Sequence, residues 1–79
     1  MTREEVYERL NNVFREMFDD ENIKLSDSTT AKDIAGWDSL THITLISEIE
    51  DEFDIQFEMK DISGLKNVGE MVGLILSQN

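Results

Sequence analysis

Residues 36–55 read GWDSLTHITLISEIEDEFDI, and the fold turns on how that stretch is parsed. A glycine and a tryptophan lead into an acid and a serine, and an apolar run follows. Ile43, Ile46, Ile49 and Phe53 recur at three- and four-residue intervals, which puts them on one side of a helix. That helix starts near Asp38 or Ser39 and runs to about Phe53, with those four residues as its expected buried stripe. His42 falls on the same arc as Ile49 and Phe53, so a partly buried histidine with a backbone partner is expected. The opposite face exposes Thr41, Thr44, Glu48, Asp51 and Glu52, acidic in its lower half and neutral near Ser39.

Upstream, Thr2 with Glu5 matches a capping box, and Val6, Leu10, Val13, Phe14 and Met17 follow at helical spacing. The pattern predicts a helix to about Asp19, its buried face widened by Tyr7 and Phe18. Periodicity then fails over residues 20–38, where Ile23, Leu25, Ile34 and Trp37 are expected to pin a long loop to the core. Residues 30–34 suit a single helical turn. Loops of this length are uncommon in small domains and are often functional.

Downstream, FDIQF alternates like a strand but has no partner, so it reads as an extended link with Ile55 and Phe57 plugging the base of the core. Residues 58–63 suit a short helix ended by Gly64. Asn67 with Glu70 repeats the capping pattern, and Val68, Met71, Val72 and Ile75 mark a last helix. Gly69 and Gly73 lie four apart within it, each costing about 1 kcal/mol relative to alanine in a helix interior. A close helix–helix approach is the expected reason. The expected fold is all-α: a small four-helix bundle of three main helices and one short one, with a long loop between helices 1 and 2, forming a single domain over 1–79.

Composition narrows the function. The chain has 79 residues, 18 acids against seven bases, a formal charge of −11 and no proline. Such a surface repels nucleic acid and anionic membrane, steers the protein toward basic partners, and repels itself. No cysteine means no disulfide and no thiolate zinc site. The start MTREEVYERL is charged from its third residue, unlike a signal peptide, and no apolar run suits a membrane span. A cytoplasmic monomer is expected. The segment DDENIKLSDSTT lacks the alternating acids, the glycine and the terminal glutamate of a calcium loop.

Ser39 suits a helix cap or a reactive serine. A hydrolase would need a base and an oxyanion site, and His42 is the only histidine. No glycine follows the serine and no strand precedes it, so the nucleophile-elbow pattern is absent. A 79-residue bundle also leaves little room for a substrate cleft around a triad.

DSL opening a helix, the run ITLISEIEDEFDI, the long loop before it and the last amphipathic helix together resemble the acyl carrier protein family over nearly the whole chain. The resemblance implies that Ser39 carries 4′-phosphopantetheine, installed from coenzyme A by a separate phosphopantetheinyl transferase. The arm would hold acyl groups as thioesters for partner enzymes of fatty acid, polyketide or specialised lipid and surface-glycan biosynthesis, and the protein itself would not be an enzyme. By the same resemblance Asp38 assists the transferase and its magnesium, and partner enzymes touch Leu40. Glu48, Asp51 and Glu52 would dock the basic patches of acyl-loading and acyl-transfer enzymes. A phosphodiester at a helix N-terminus would face free N–H groups and the positive end of the dipole.

Two features depart from carriers of bacterial fatty acid synthesis: the neutral surface near Ser39, and QFEMKDI in place of a proline-and-acid stretch. Both depart from a housekeeping fatty-acid carrier, and WDSLTH with Phe57 resembles carriers of specialised pathways. In this family a loosely packed core can admit an acyl chain. A peptidyl or aminoacyl carrier is one alternative, although such carriers often have glycine and histidine before the serine, where this chain has Trp37-Asp38. The other is an acidic helical interaction module with no prosthetic group.

Overall fold

The computed structural model describes residues 1–78. Thr2 accepts the Glu5 N–H through its hydroxyl, and the Glu5 carboxylate accepts the Thr2 N–H. From this capping box α1 (Arg3–Met17) runs with Val6, Leu10 and Phe14 fully buried. It stops two residues before the expected Asp19, which takes a left-handed φ of 50°. Helix α2 (Ser39–Phe53) buries Leu45, Ile46, Ile49 and Phe53, and Asp54 ends it in the left-handed conformation. After the extended link come α3 (Met59–Ser63), which ends at Gly64, and α4 (Val68–Ser77). The molecule is an all-α bundle, without strands among the described residues.

Helix α1 packs against both α2 and α4. Arg9 fastens the first of these contacts: its guanidinium lies over the Phe53 ring at 4.6 Å, and its Nε donates to Glu52 Oε2 at 2.8 Å. The long loop is irregular except for a 3₁₀ turn at Ala31–Asp33, within the expected 30–34. Ile23 and Leu25 are buried, and Ile34 and Trp37 are half-buried against the core. Helix α1 also holds the loop by side chains that apolar spacing does not reveal. Asn11 Oδ1 accepts the Leu25 N–H at 2.8 Å, and Arg15 Nε donates to the Ile23 carbonyl at 2.8 Å. Ile55 and Phe57 are buried as expected, and the Glu50 carboxylate fixes the link by accepting the Phe57 N–H at 2.8 Å.

Two expectations are corrected. Ile43 is 71% exposed, and Leu45 takes its place in the buried stripe. The arc from Leu45 through Ile49 and Phe53 to Ile46 spans about 100°, and Ile43 falls about 60° beyond it. The glycines of α4 do not mediate a helix–helix approach. A Cβ at Gly69 would lie 2.9 Å from the Asp27 carbonyl oxygen, in the loop, while one at Gly73 would meet nothing within 4 Å.

Candidate functional site

The turn before α2 is built from the end of α1. Gly36 has a φ of +91°, where a side chain is strained, and Phe18 packs on it, with Cδ1 3.4 Å from where a Cβ would stand. The Trp37 ring meets Phe14 edge-on at 5.2 Å, so this tryptophan is the packing anchor of the turn. Its Nε1 donates to His42 Nδ1 at 3.0 Å, and the two rings stack at 5.9 Å with 17° between their planes. His42 is half-buried as expected, but its partner is this side chain and not backbone.

Asp38 is the N-cap. Its Oδ1 accepts the N–H groups of Leu40 at 2.9 Å and Thr41 at 3.0 Å. Thr41 Oγ1 accepts the Asp38 N–H at 2.8 Å and donates to the Gly36 carbonyl at 2.8 Å. The bond from the Thr41 N–H, with the one from Leu40, holds the Asp38 carboxyl below the usual carboxylate range. This cap alters the picture of an anion at the helix end, because Asp38 already takes two of the first-turn donors. Among the described residues, the Ser39 N–H and Asp38 Oδ2 have no hydrogen-bond partner. Thr41 is half-buried and engaged in the cap, not the open surface residue the helical wheel suggested.

Ser39 is exposed at the first position of α2. Its hydroxyl makes no hydrogen bond to His42, whose Nδ1 accepts from Trp37. The serine opens instead onto a cleft of about 420 Å³. Trp37 and His42 line one side of it, Met59 and Ile62 of α3, Leu65, and Met71 of α4 supply most of its apolar lining, and Ala31, Ser63, Lys66 and Asn67 also border it. An apolar-lined cleft beside an exposed hydroxyl suits an attached arm with a thin apolar cargo. Apolar spacing gave no sign of the cleft: Met71 reads as part of the buried stripe of the last helix, and Ile62 and Leu65 carry no pattern of their own.

Leu40 is 80% exposed, and so are Ile43 at 71% and Met59 at 82%, all beside the serine or the cleft. Glu48, Asp51 and Glu52 are exposed along the lower part of α2. Glu52 is paired with Arg9, whereas Glu48 and Asp51 have no ion-pair partner among the described residues. With Glu16 they border a groove between α1 and α2 floored by Val13 and Met17.

This fold is that of a carrier domain. A family model described as "Phosphopantetheine attachment site" matches residues 8–75. The acyl carrier protein of Streptococcus thermophilus is 39% identical over 72 residues, covering 89% of this chain and 90% of the relative. That of Exiguobacterium sibiricum is 31% identical over 78 residues, covering 99% of each chain. The solution structure of the holo acyl carrier protein from Geobacter metallireducens superposes with a TM-score of 0.86 at 38% identity, covering 92% of this chain and 84% of that one. The chain belongs to the acyl carrier protein family, and its prosthetic group is 4′-phosphopantetheine. Family membership sets aside the interaction module without a prosthetic group. Among the described residues no helix is long and apolar enough to cross a membrane.

Proposed function

We propose that Ser39 is the attachment point of 4′-phosphopantetheine and that residues 1–79 act as one cytoplasmic, monomeric carrier domain without catalytic activity of its own. The observation that carries this is the exposed Ser39 hydroxyl at the start of α2, opening onto an apolar-lined cleft. The prosthetic group supplies a thiol that holds an acyl cargo as a thioester. The chain's own residues present, shelter and dock it. Trp37 and the Asp38–Thr41 cap hold the serine out at the helix start, where a transferase reaches it. Asp38 Oδ2 is the free oxygen offered to the transferase's magnesium. Met59, Ile62, Leu65 and Met71 shelter the apolar end of the cargo.

Leu40, Ile43 and Met59 surround the serine with apolar surface, and Glu48 and Asp51 stand below it as unpaired acids. The partner enzymes this face suits have an apolar patch opposite Ser39 and basic residues toward the lower half of α2. Glu52 joins that docking only by giving up Arg9. The neutral upper face supports a pathway outside housekeeping fatty acid synthesis, with a polyketide, lipid or surface-glycan product. An acyl cargo is favoured over a peptidyl one by the apolar lining of the cleft.

Peptide mapping of protein isolated from cells in its modified form tests the site. Cleavage after Lys32 and Lys60 leaves a peptide spanning 33–60, which holds both Ser39 and Ser47. Fragment ions should place the added group on Ser39. Placement on Ser47 would overturn the assignment.

A further inference from the structure

Helix α4 begins against the long loop and not in solvent. The Val68 N–H donates to the Thr29 carbonyl at 2.8 Å, and the Gly69 N–H donates to the Asp27 carbonyl at 3.0 Å. The loop thus satisfies two of the donors that a helix N-terminus leaves open. Asp27 is in turn held by α1: Arg3 Nη2 donates to its Oδ1 at 2.8 Å, and the Tyr7 hydroxyl donates to the same oxygen. Arg3 also reaches the Gly69 carbonyl at 3.4 Å. Residue 69 must be small for this junction to close. An added Cβ would stand 2.9 Å from the Asp27 carbonyl oxygen and 3.1 Å from its Cα, backbone atoms that cannot rotate aside.

The same end of α4 is a wall of the cleft beside Ser39. Asn67, the N-cap of α4, and Met71, two residues past Gly69, both line it. Ala31, just beyond Asp27 and Thr29 in the loop, lines it too. A displacement of the junction is carried by the helix to Asn67 and Met71, because a helical turn moves as a unit. Each further methylene of a cargo gains apolar burial only while that wall stands clear of it.

We propose that Asp27 and Gly69 are positioning residues that set this wall, and through it the length of acyl chain the cleft shelters. The inference rests on the sheltering reading given above. It assigns a specificity role to a junction on the α1 side of α4, formed by residues that do not line the cleft themselves.

The test loads wild type, Gly69→Ala, Asp27→Asn and Gly73→Ala with saturated acyl chains of increasing length. Two quantities are followed for each: the rate of thioester cleavage by hydroxylamine, by intact mass, and the rise in melting temperature over the unacylated form. Amide NMR shifts of Asn67 and Met71 in the unmodified proteins report the wall directly. Wild type and Gly73→Ala should share one optimum chain length, since a Cβ added at residue 73 would meet nothing within 4 Å. In Gly69→Ala and Asp27→Asn the optimum should move, the ratio of cleavage rates between chain lengths should change severalfold, and the two amides should shift. A merely structural role would lower every melting temperature and leave the optimum in place, and that outcome overturns the proposal. Should Gly69→Ala fail to fold, Asp27→Asn decides, because it keeps the backbone contact and weakens only the hold on Asp27. A wild-type profile without any dependence on chain length would remove the sheltering reading and this proposal with it. A clear wild-type optimum unchanged in the variants would remove this proposal alone.

Discussion

Asp38 Oδ1 accepts both the Leu40 and the Thr41 N–H, while Oδ2 has no protein partner among the described residues. The two oxygens can therefore be tested apart. Asparagine caps a helix about as well as aspartate but carries no negative oxygen. Asp38→Asn should keep the urea midpoint near wild type and slow loading by the transferase, whereas Asp38→Ala should lower both. Equal loading by wild type and Asp38→Asn would leave Asp38 as a cap alone. At this scale the sequence was legible wherever a local rule decided the outcome. Thr2 with Glu5 and Asn67 with Glu70 name their helix starts because a cap needs only residues a turn apart. His42 was legible in its burial but not in its partner, because the bond from Trp37 depends on a turn that Gly36 and Phe18 fix through space.

Helix α2 has two faces, and the exposed one decides which partners dock. Ile43 shows why its extent was not legible. Apolar spacing reports which residues suit burial, but Leu45 competes for the same stripe, and packing against α1 selects between them. As an exposed residue, Ile43 mutated to glutamate should change stability by no more than about 0.5 kcal/mol in urea unfolding. The same change should weaken partner binding by placing a charge in an apolar contact. Reversing Glu48 and Asp51 to lysine should slow association with a basic partner on the order of tenfold at low salt, an effect lost at high salt. Thr44→Lys is the matched control, since Thr41→Lys would also break the helix cap. Equal losses from the control and the double reversal, in stopped-flow association, would mean that Glu48 and Asp51 do not guide docking. On α4, Gly73→Ala should stabilise by up to about 1 kcal/mol, because nothing opposes the added methyl.

The whole molecule has a small core and a net charge of −11, so its stability is set by packing against self-repulsion. Phe14 packs under both Phe18 and Trp37, and Phe14→Ala should cost about 3–5 kcal/mol, enough to unfold most of a domain this small. Added salt should raise the melting temperature by screening the acids. No cluster that would hold a metal ion exists among the described residues, so divalent cations should act in the same diffuse way. The carboxyls of Asp27, Asp38 and Glu5 lie below their ordinary range, through the Tyr7 hydroxyl with Arg3, the Thr41 N–H, and the Thr2 N–H respectively. A depressed carboxyl stabilises the fold above its unfolded value and loses that contribution as pH falls through its folded one. Stability should therefore hold from neutral pH down to about pH 4 and fall below it, as chemical denaturation across pH will show. Burial pushes the Tyr7 hydroxyl up to about 12, which adds a loss as pH climbs from its unfolded value toward that figure. The four-helix order was legible at this scale because every helix carries its own stripe or cap. The cleft was not, because it depends on how α2, α3 and α4 meet, and its lining residues are the same apolar types that fill the core.

The central claim is that Ser39 carries the arm. Intact mass after incubation with coenzyme A, magnesium and a broad-specificity phosphopantetheinyl transferase tests it most directly, with Ser39→Ala alongside. Wild type should gain one phosphopantetheinyl group and Ser39→Ala none. A gain that survives in Ser39→Ala, or none in folded wild type beside a control carrier that is loaded, would contradict the account.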